Sequence, residues 1–193
     1  MIKVDIEKHT IQAIEKKLGA LKDKTPEVLK KAINETAKQA RKRLAVEAQK
    51  TYVIKSGKFN KAMSIKNATK SKPEAVIGAT GAVTELKDFK VSPARYYTGA
   101  NRPEIVKAKG LKQSSMKRLQ MGDLKAFVAR FASGHLSVVQ RVSKNRLPIK
   151  KLFSPSVPKM LGNEKKVYGV VEPEISKNLQ DNLEKYIMEA LGE

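Results

Sequence analysis

Cysteine and tryptophan are absent from this 193-residue chain, and histidine occurs only twice. The absence of Cys excludes disulfides and thiolate metal sites, and two His alone cannot complete the usual zinc ligand set. Aromatic residues make up only 5% of the chain, and no RNP-like aromatic pattern, zinc-finger spacing or clear helix-turn-helix is present. Tyr96-Tyr97 is the only aromatic pair that could stack on bases, and such a pair more often reads as a buried or interface contact. No run approaches the roughly 20 apolar residues of a membrane span. The opening MIKVDIEKHT lacks the apolar stretch of a signal peptide. The expectation is a soluble protein made in the cytoplasm, with no membrane partner.

Acidic residues are scarce where the chain is most basic. Residues 61–166 carry 23 Lys and Arg against 6 Asp and Glu, or +17, within a total of +21. Residues 1–60 hold +8, and residues 167–193 reverse the sign with 2 basic and 6 acidic residues, or −4. A field of this strength draws polyanions at long range. Without base-reading motifs, any DNA contact reduces to backbone electrostatics with no sequence readout. The candidate DNA, lumen or assembly contacts are Lys107, Lys109, Lys112, Lys117 and Arg118, in long basic connections. The charge reversal nominates Asp181, Glu184 and Glu189 of the acidic tail as subunit contacts.

Reactive constellations are missing as well. His135 sits at a turn and reads as a surface residue, with Ser133, Ser137 and Ser143 nearby but no G-x-S-x-G elbow. Gly78-Ala79-Thr80-Gly81 lacks the Gly-Lys-Ser/Thr of a phosphate-binding loop. The middle carboxylates, Glu74, Glu85, Asp88, Glu104, Asp123 and Glu164, are too scattered for a two-metal site. No catalytic, cofactor-binding or metal-ligating residue is nominated, and the reading is of a protein that is not an enzyme.

Helical periodicity dominates both ends. Residues 5–22 place Ile11, Ile14, Leu18 and Leu21 on one face, with Asp5 as the expected N-cap. Thr25-Pro26-Glu27 starts a second helix: Thr25 can cap, Pro26 fits the first helical position, and Glu27 suits the positive end. Leu29, Ile33, Ala37, Ala40, Leu44 and Ala48 extend its apolar stripe to about Lys50, and Ser56-Gly57 closes the region. At the other end Val167, Val171, Ile175, Leu179, Leu183, Ile187 and Leu191 recur every four residues. Pro173 interrupts that stripe, so the helix is expected to start near Pro173, with 165–171 extended. Between the helices, strand patterns fall at 62–68, 75–79, 86–91, 104–109, 125–131 and 136–142. Short strands with turn punctuation argue for an antiparallel sheet rather than βαβ units. The fold class is α+β: an antiparallel sheet of short strands packed with a long N-terminal amphipathic helix and a C-terminal helix. One domain over 1–193 is expected, with a helical region at 1–55, the sheet and its basic loops at 61–153, and a proline-rich connector and helix at 154–193.

The most distinctive stretch is the last hairpin and its continuation. Phe127, Ala129 and Phe131 alternate on one face, Ser133-Gly134 makes the turn, and 136–142 returns as a β-branched strand. The chain then reads LPIKKLFSPSVPKML over 147–161, whose three prolines fit neither a central strand nor a helix interior. Phe127, Phe131, Leu152, Phe153 and Val157 are expected to share a core or a subunit contact. This pattern over 124–162 resembles the phage minor tail protein Z family, whose members complete the tails of long-tailed phages. The resemblance implies a structural phage or prophage protein at the head-proximal end of the tail, in the neck, joining tail to head. It also implies other tail and neck proteins as partners, and a homo-oligomeric ring around the DNA path. Two alternatives stand beside it: a head–tail connector or tail terminator of another family, and a basic, non-specific nucleic-acid-binding protein.

Overall fold

The computed structural model describes residues 1–54 and 57–192. In chain order, strand β1 (Ile2–Asp5) leads into helix α1 (Lys8–Leu18), and a 3-10 segment (Gly19–Lys24) runs straight into the long helix α2 (Thr25–Thr51). A short helix α3 (Lys58–Ala62) precedes β2 (Met63–Lys66) and β3 (Glu74–Ala79). Seven short strands follow, β4 (Thr84–Glu85), β5 (Lys90–Ser92), β6 (Lys107–Lys109), β7 (Lys117–Arg118), β8 (Gln120–Met121), β9 (Leu124–Arg130) and β10 (Leu136–Arg141). Strands β11 (Ile149–Lys151) and β12 (Phe153–Ser154), helix α4 (Val157–Leu161) and helix α5 (Tyr168–Leu191) complete the chain. The class is α+β, and the strand pairs are antiparallel, distributed over four small sheets among the described residues.

The chain divides into two compact units. One comprises residues 1–48, 59–80 and 161–193. It holds α1, most of α2, α3, α5 and the sheet β1-β3-β2, in which Ile2 faces Ile77 and Ile65 faces Ile77 from the other side. Every residue of the apolar stripe expected on α2, from Leu29 to Ala48, is buried. Small residues along that stripe (Ala32, Ala37, Ala40 and Ala48, all within 1% of zero exposure) let neighbouring elements approach closely. A polar pair sits inside this core. Thr36 donates its hydroxyl to the Ala32 carbonyl at 2.8 Å and accepts from Asn182 Nδ2 of α5 at 2.9 Å, so its burial is compensated.

Three expectations for this unit are corrected. Asp5 belongs to β1, and α1 starts after it without a side-chain cap. Thr25 is already helical, and its buried hydroxyl has no partner among the described residues, because the 3-10 segment occupies the place where a cap would turn the chain. Helix α5 begins at Tyr168, so Pro173 lies inside it and 165–171 is not extended. The Asn163 carbonyl accepts the amides of Lys166, Val167 and Tyr168 and winds the chain into the helix ahead of the proline. Of the expected closing pair Ser56-Gly57, Ser56 lies outside the described residues.

The second unit comprises residues 49–58 and 81–160. Its four-stranded sheet runs in the order β11-β10-β9-β8, and its three-stranded sheet in the order β5-β6-β7. Val106, Ala126 and Val138 form a buried cluster, with Leu86, Val91, Leu119 and Leu152 packed against it. The expected hairpin is present as β9 and β10, with Leu136 opposite Arg130. Its faces are reversed, however. Ala126 and Val128 point to the core, while Phe127, Ala129 and Phe131 are only half-buried. The guanidinium carbons of Arg102 and Arg141 lie 5.4 and 5.8 Å from the Phe127 ring centre, and Lys151 Nζ lies 5.2 Å from that of Phe131. These cations cover the aromatic faces, on a side of the sheet where Val139, opposite Phe127, is itself fully buried. Phe153 is 51% exposed, and of the expected cluster only Leu152 and Val157 reach the interior. The 86–91 strand is also split, its first three residues forming a 3-10 turn. Pro158 falls in the first turn of α4, where a missing amide costs nothing.

Candidate functional site: a cationic sheet face

Strand β6 is the middle of the three-stranded sheet, and its register fixes which side chains share a face. Lys90 lies opposite Lys109, Ser92 opposite Lys107, and Lys107 opposite Arg118. Side chains alternate along a strand, and directly opposed residues share a face. Lys90, Lys107, Lys109 and Arg118 therefore form one cationic face, while Val91 and Ala108 turn to the other side. There Ala108 is buried and Val91 packs on the cluster of Val106, Ala126 and Val138. The inner face needs apolar residues at alternate positions, so the lysines between them have only the outer face to occupy.

Lys90, Lys107 and Arg118 are exposed; Lys109 is half-buried and donates to the Lys112 carbonyl at 2.9 Å. None of these four forms an ion pair with a carboxylate among the described residues. The nearest compensation is Glu104, which feels the charge of Arg118 but is bonded to Lys125. Like charges placed directly opposite each other on a sheet cost about 0.2–1 kcal/mol per pair. Two such pairs, Lys90 with Lys109 and Lys107 with Arg118, stand on this face. Of the five residues expected from the sequence, Lys107, Lys109 and Arg118 meet here. Lys117 is in register with Ala108 and belongs to the opposite side, and Lys112 lies in the connection beyond β6. Lys90 is the member that sequence reasoning missed, since its place depends on a cross-strand register. Tyr96 and Tyr97, in the β5–β6 connection, are 37% and 39% exposed, so the buried reading of that pair does not hold.

A second polar cluster, at the start of β10, centres on Glu85. His135 Nε2 lies 3.0 Å from Glu85 Oε2, the Ser137 hydroxyl donates to the same oxygen at 2.9 Å, and Lys151 Nζ lies 3.5 Å from Oε1. Burial raises the Glu85 carboxyl, but the bonds from Ser137 and His135 and the charges of His135 and Lys151 outweigh it and hold the group below its ordinary value. Serine, histidine and glutamate are together here in the wrong order for acyl transfer. A nucleophilic relay bonds the hydroxyl to the imidazole and the imidazole to the carboxylate. In this cluster both side chains converge on the carboxylate, and Ser137 is fully buried. The cluster pins β4 to the hairpin, and His135 is a partly covered structural residue rather than a surface one. No group of three or more His, Cys, Asp or Glu suited to a metal is found among the described residues. No helix is long and apolar enough to cross a membrane among them either.

The acidic residues of α5 divide in two. Glu189 pairs with Lys31 of α2 at 2.6 Å, and Glu174 pairs with Arg43 at 2.6 Å, both within the helical unit. Hydrogen bonding to these carboxylates raises both cations above their ordinary values. Asp181 and Glu184 are exposed and form no ion pair among the described residues.

These features define a basic α+β protein whose prominent site is an electrostatic surface. The family model for prophage minor tail protein Z (GPZ) matches residues 8–191, nearly the whole chain, and the chain belongs to that family. Its place is the virion tail, and membership in a family of structural tail proteins points away from an enzymatic role. No curated protein and no solved structure matches the chain.

Proposed function

We propose that this chain completes the head-proximal end of the tail and joins it to the head, as one subunit of a ring around the DNA path. The observation that carries the reading is the cationic face of β5-β6-β7. Its four cations lie on one sheet face without carboxylate partners among the described residues, which suits a surface that borders a passing duplex. The absence of base-reading elements fits the same reading, because DNA of any sequence must pass such a ring. Contact is then made to phosphate alone, and its strength depends on salt.

The test is the double variant Lys107→Glu/Arg118→Glu. Duplex affinity of the purified protein is expected to be indifferent to sequence and to fall steeply with salt. Losing two phosphate contacts lowers the slope of log affinity against log salt by about 2. In phage carrying the variant, tails are expected to form but to join filled heads poorly. Normal head joining together with an unchanged salt slope rejects the lumen reading. A sequence preference that survives high salt favours a nucleic-acid-binding role outside the tail.

A further inference from the structure

We infer that the cavity beside Phe127 is a socket for an acidic side chain from a second copy of this chain, presented by the outer face of α5. This rests on the ring-subunit reading and names the contact that would close the ring. The cavity, of about 540 Å3, is lined by Arg102, Glu104, Asp123, Lys125, Phe127, Arg141 and Lys144 among others. Lys125 is tied to Glu104, which leaves Arg102, Arg141 and Lys144 to face a ligand, with Asp123 also in the lining. The guanidinium carbons of Arg102 and Arg141 both lie within 6 Å of the Phe127 ring centre, which gathers two cations at one wall of the cavity. Arg141 Nε is buried without a hydrogen-bond partner among the described residues, a donor that a carboxylate entering the cavity would satisfy.

The walls select the kind of anion. Glu104 and Asp123 belong to the same lining, and two carboxylates there oppose a row of phosphates more than they oppose a single carboxylate. The chain neighbours of the lining residues point the same way. Met121 is 51% exposed, Val142 50% and Leu147 66%, so apolar surface flanks the basic cavity in sequence. Arginine with exposed apolar anchors is the composition of a protein interface.

The complementary surface is present on the same chain. On α5, Asp181, Glu184, Met188 and Leu191 follow one another at spacings of three and four residues, which puts them on one side of the helix. Asp181 and Glu184 are free of ion pairs among the described residues, and Met188 and Leu191 are 48% and 37% exposed. Acid and apolar groups on one surface match base and apolar groups on the other. Because the two surfaces differ, the contact is heterologous and propagates from copy to copy until it closes.

The chain has no native Cys, so introduced thiols report without background. Lys144→Cys combined with Glu184→Cys, treated in purified tails with a bis-maleimide reagent, is expected to give a ladder of covalent multimers. Neither single variant forms a ladder. In parallel, Arg141→Glu is expected to lower incorporation into tails by about tenfold or more, and adding Asp181→Arg in the same chain restores most of it. Circular dichroism of each variant confirms that it folds. Multimers in tails with no ladder, and no rescue, overturn the socket while leaving the ring standing. A single copy per tail overturns both. Arg141→Glu that weakens duplex binding but not incorporation assigns the cavity to phosphate and rejects the inference.

Discussion

A methyl group added at Gly169 would meet the Glu164 carbonyl oxygen at 2.3 Å, closer than any real side chain tolerates. The collision is with backbone, in the segment that winds the chain into α5. Gly169→Ala is therefore expected to destabilise by about 1–3 kcal/mol, the usual range for overpacking, and to lower Tm accordingly. Leu44, fully buried on α2, is expected to cost about 2–5 kcal/mol on truncation to Ala. Phe131→Ala should cost less than the roughly 3–5 kcal/mol of a buried Phe, because its ring is half-exposed under Lys151. A loss of about 3–5 kcal/mol for Phe131→Ala would contradict the assigned faces of the hairpin. That assignment was not legible in the sequence: both faces of β9 carry apolar residues, and the larger ones lie outside under cations that come from distant positions. Nor could spacing reveal Glu85 as the partner of His135, which is 50 residues away.

Among elements, the helices were legible because their stripes are long. Along α5, Val171, Ile175, Leu183 and Ile187 of the stripe are buried, Leu179 is half-buried, and Leu191 in the last turn is 37% exposed. The expected start of α5 near Pro173 fails because the Asn163 carbonyl nucleates the helix ahead of the proline. Inside α5 the proline forfeits the amide bond to the Gly169 carbonyl. Pro173→Ala is expected to raise stability, by about 1–3 kcal/mol, and an unchanged or lower Tm would show that the helix has fully adapted to it. The cationic sheet makes the opposite trade. Lys107→Gln removes a like-charge neighbour of Arg118 and is expected to raise stability by up to about 1 kcal/mol while weakening duplex binding. A residue kept only for folding would lower both.

At the scale of the whole molecule, charge sets the response to acid and salt. The carboxyls of Glu27, Glu74 and Glu104 lie below their ordinary value of 4.5 through hydrogen bonds from Lys70, Lys3 and Lys125 respectively, and Glu85 lies below it through its own cluster. A folded value below the unfolded one stabilises above about pH 4.5, and that contribution is lost as pH falls through the folded values. Tm is thus expected to be flat above pH 5 and to fall below 4.5, less steeply in Glu85→Gln. A fall that begins near neutrality would point to other groups. Helix α2 runs unbroken across the boundary between the two units at residue 48, and we expect one calorimetric transition for the chain rather than two. The central claim is that this protein belongs at the junction of tail and head. Immunogold labelling of isolated tails with an antibody to the chain tests it most directly. The account predicts label at one end of each tail, the end that joins the head. Label along the shaft or at the distal tip would contradict it.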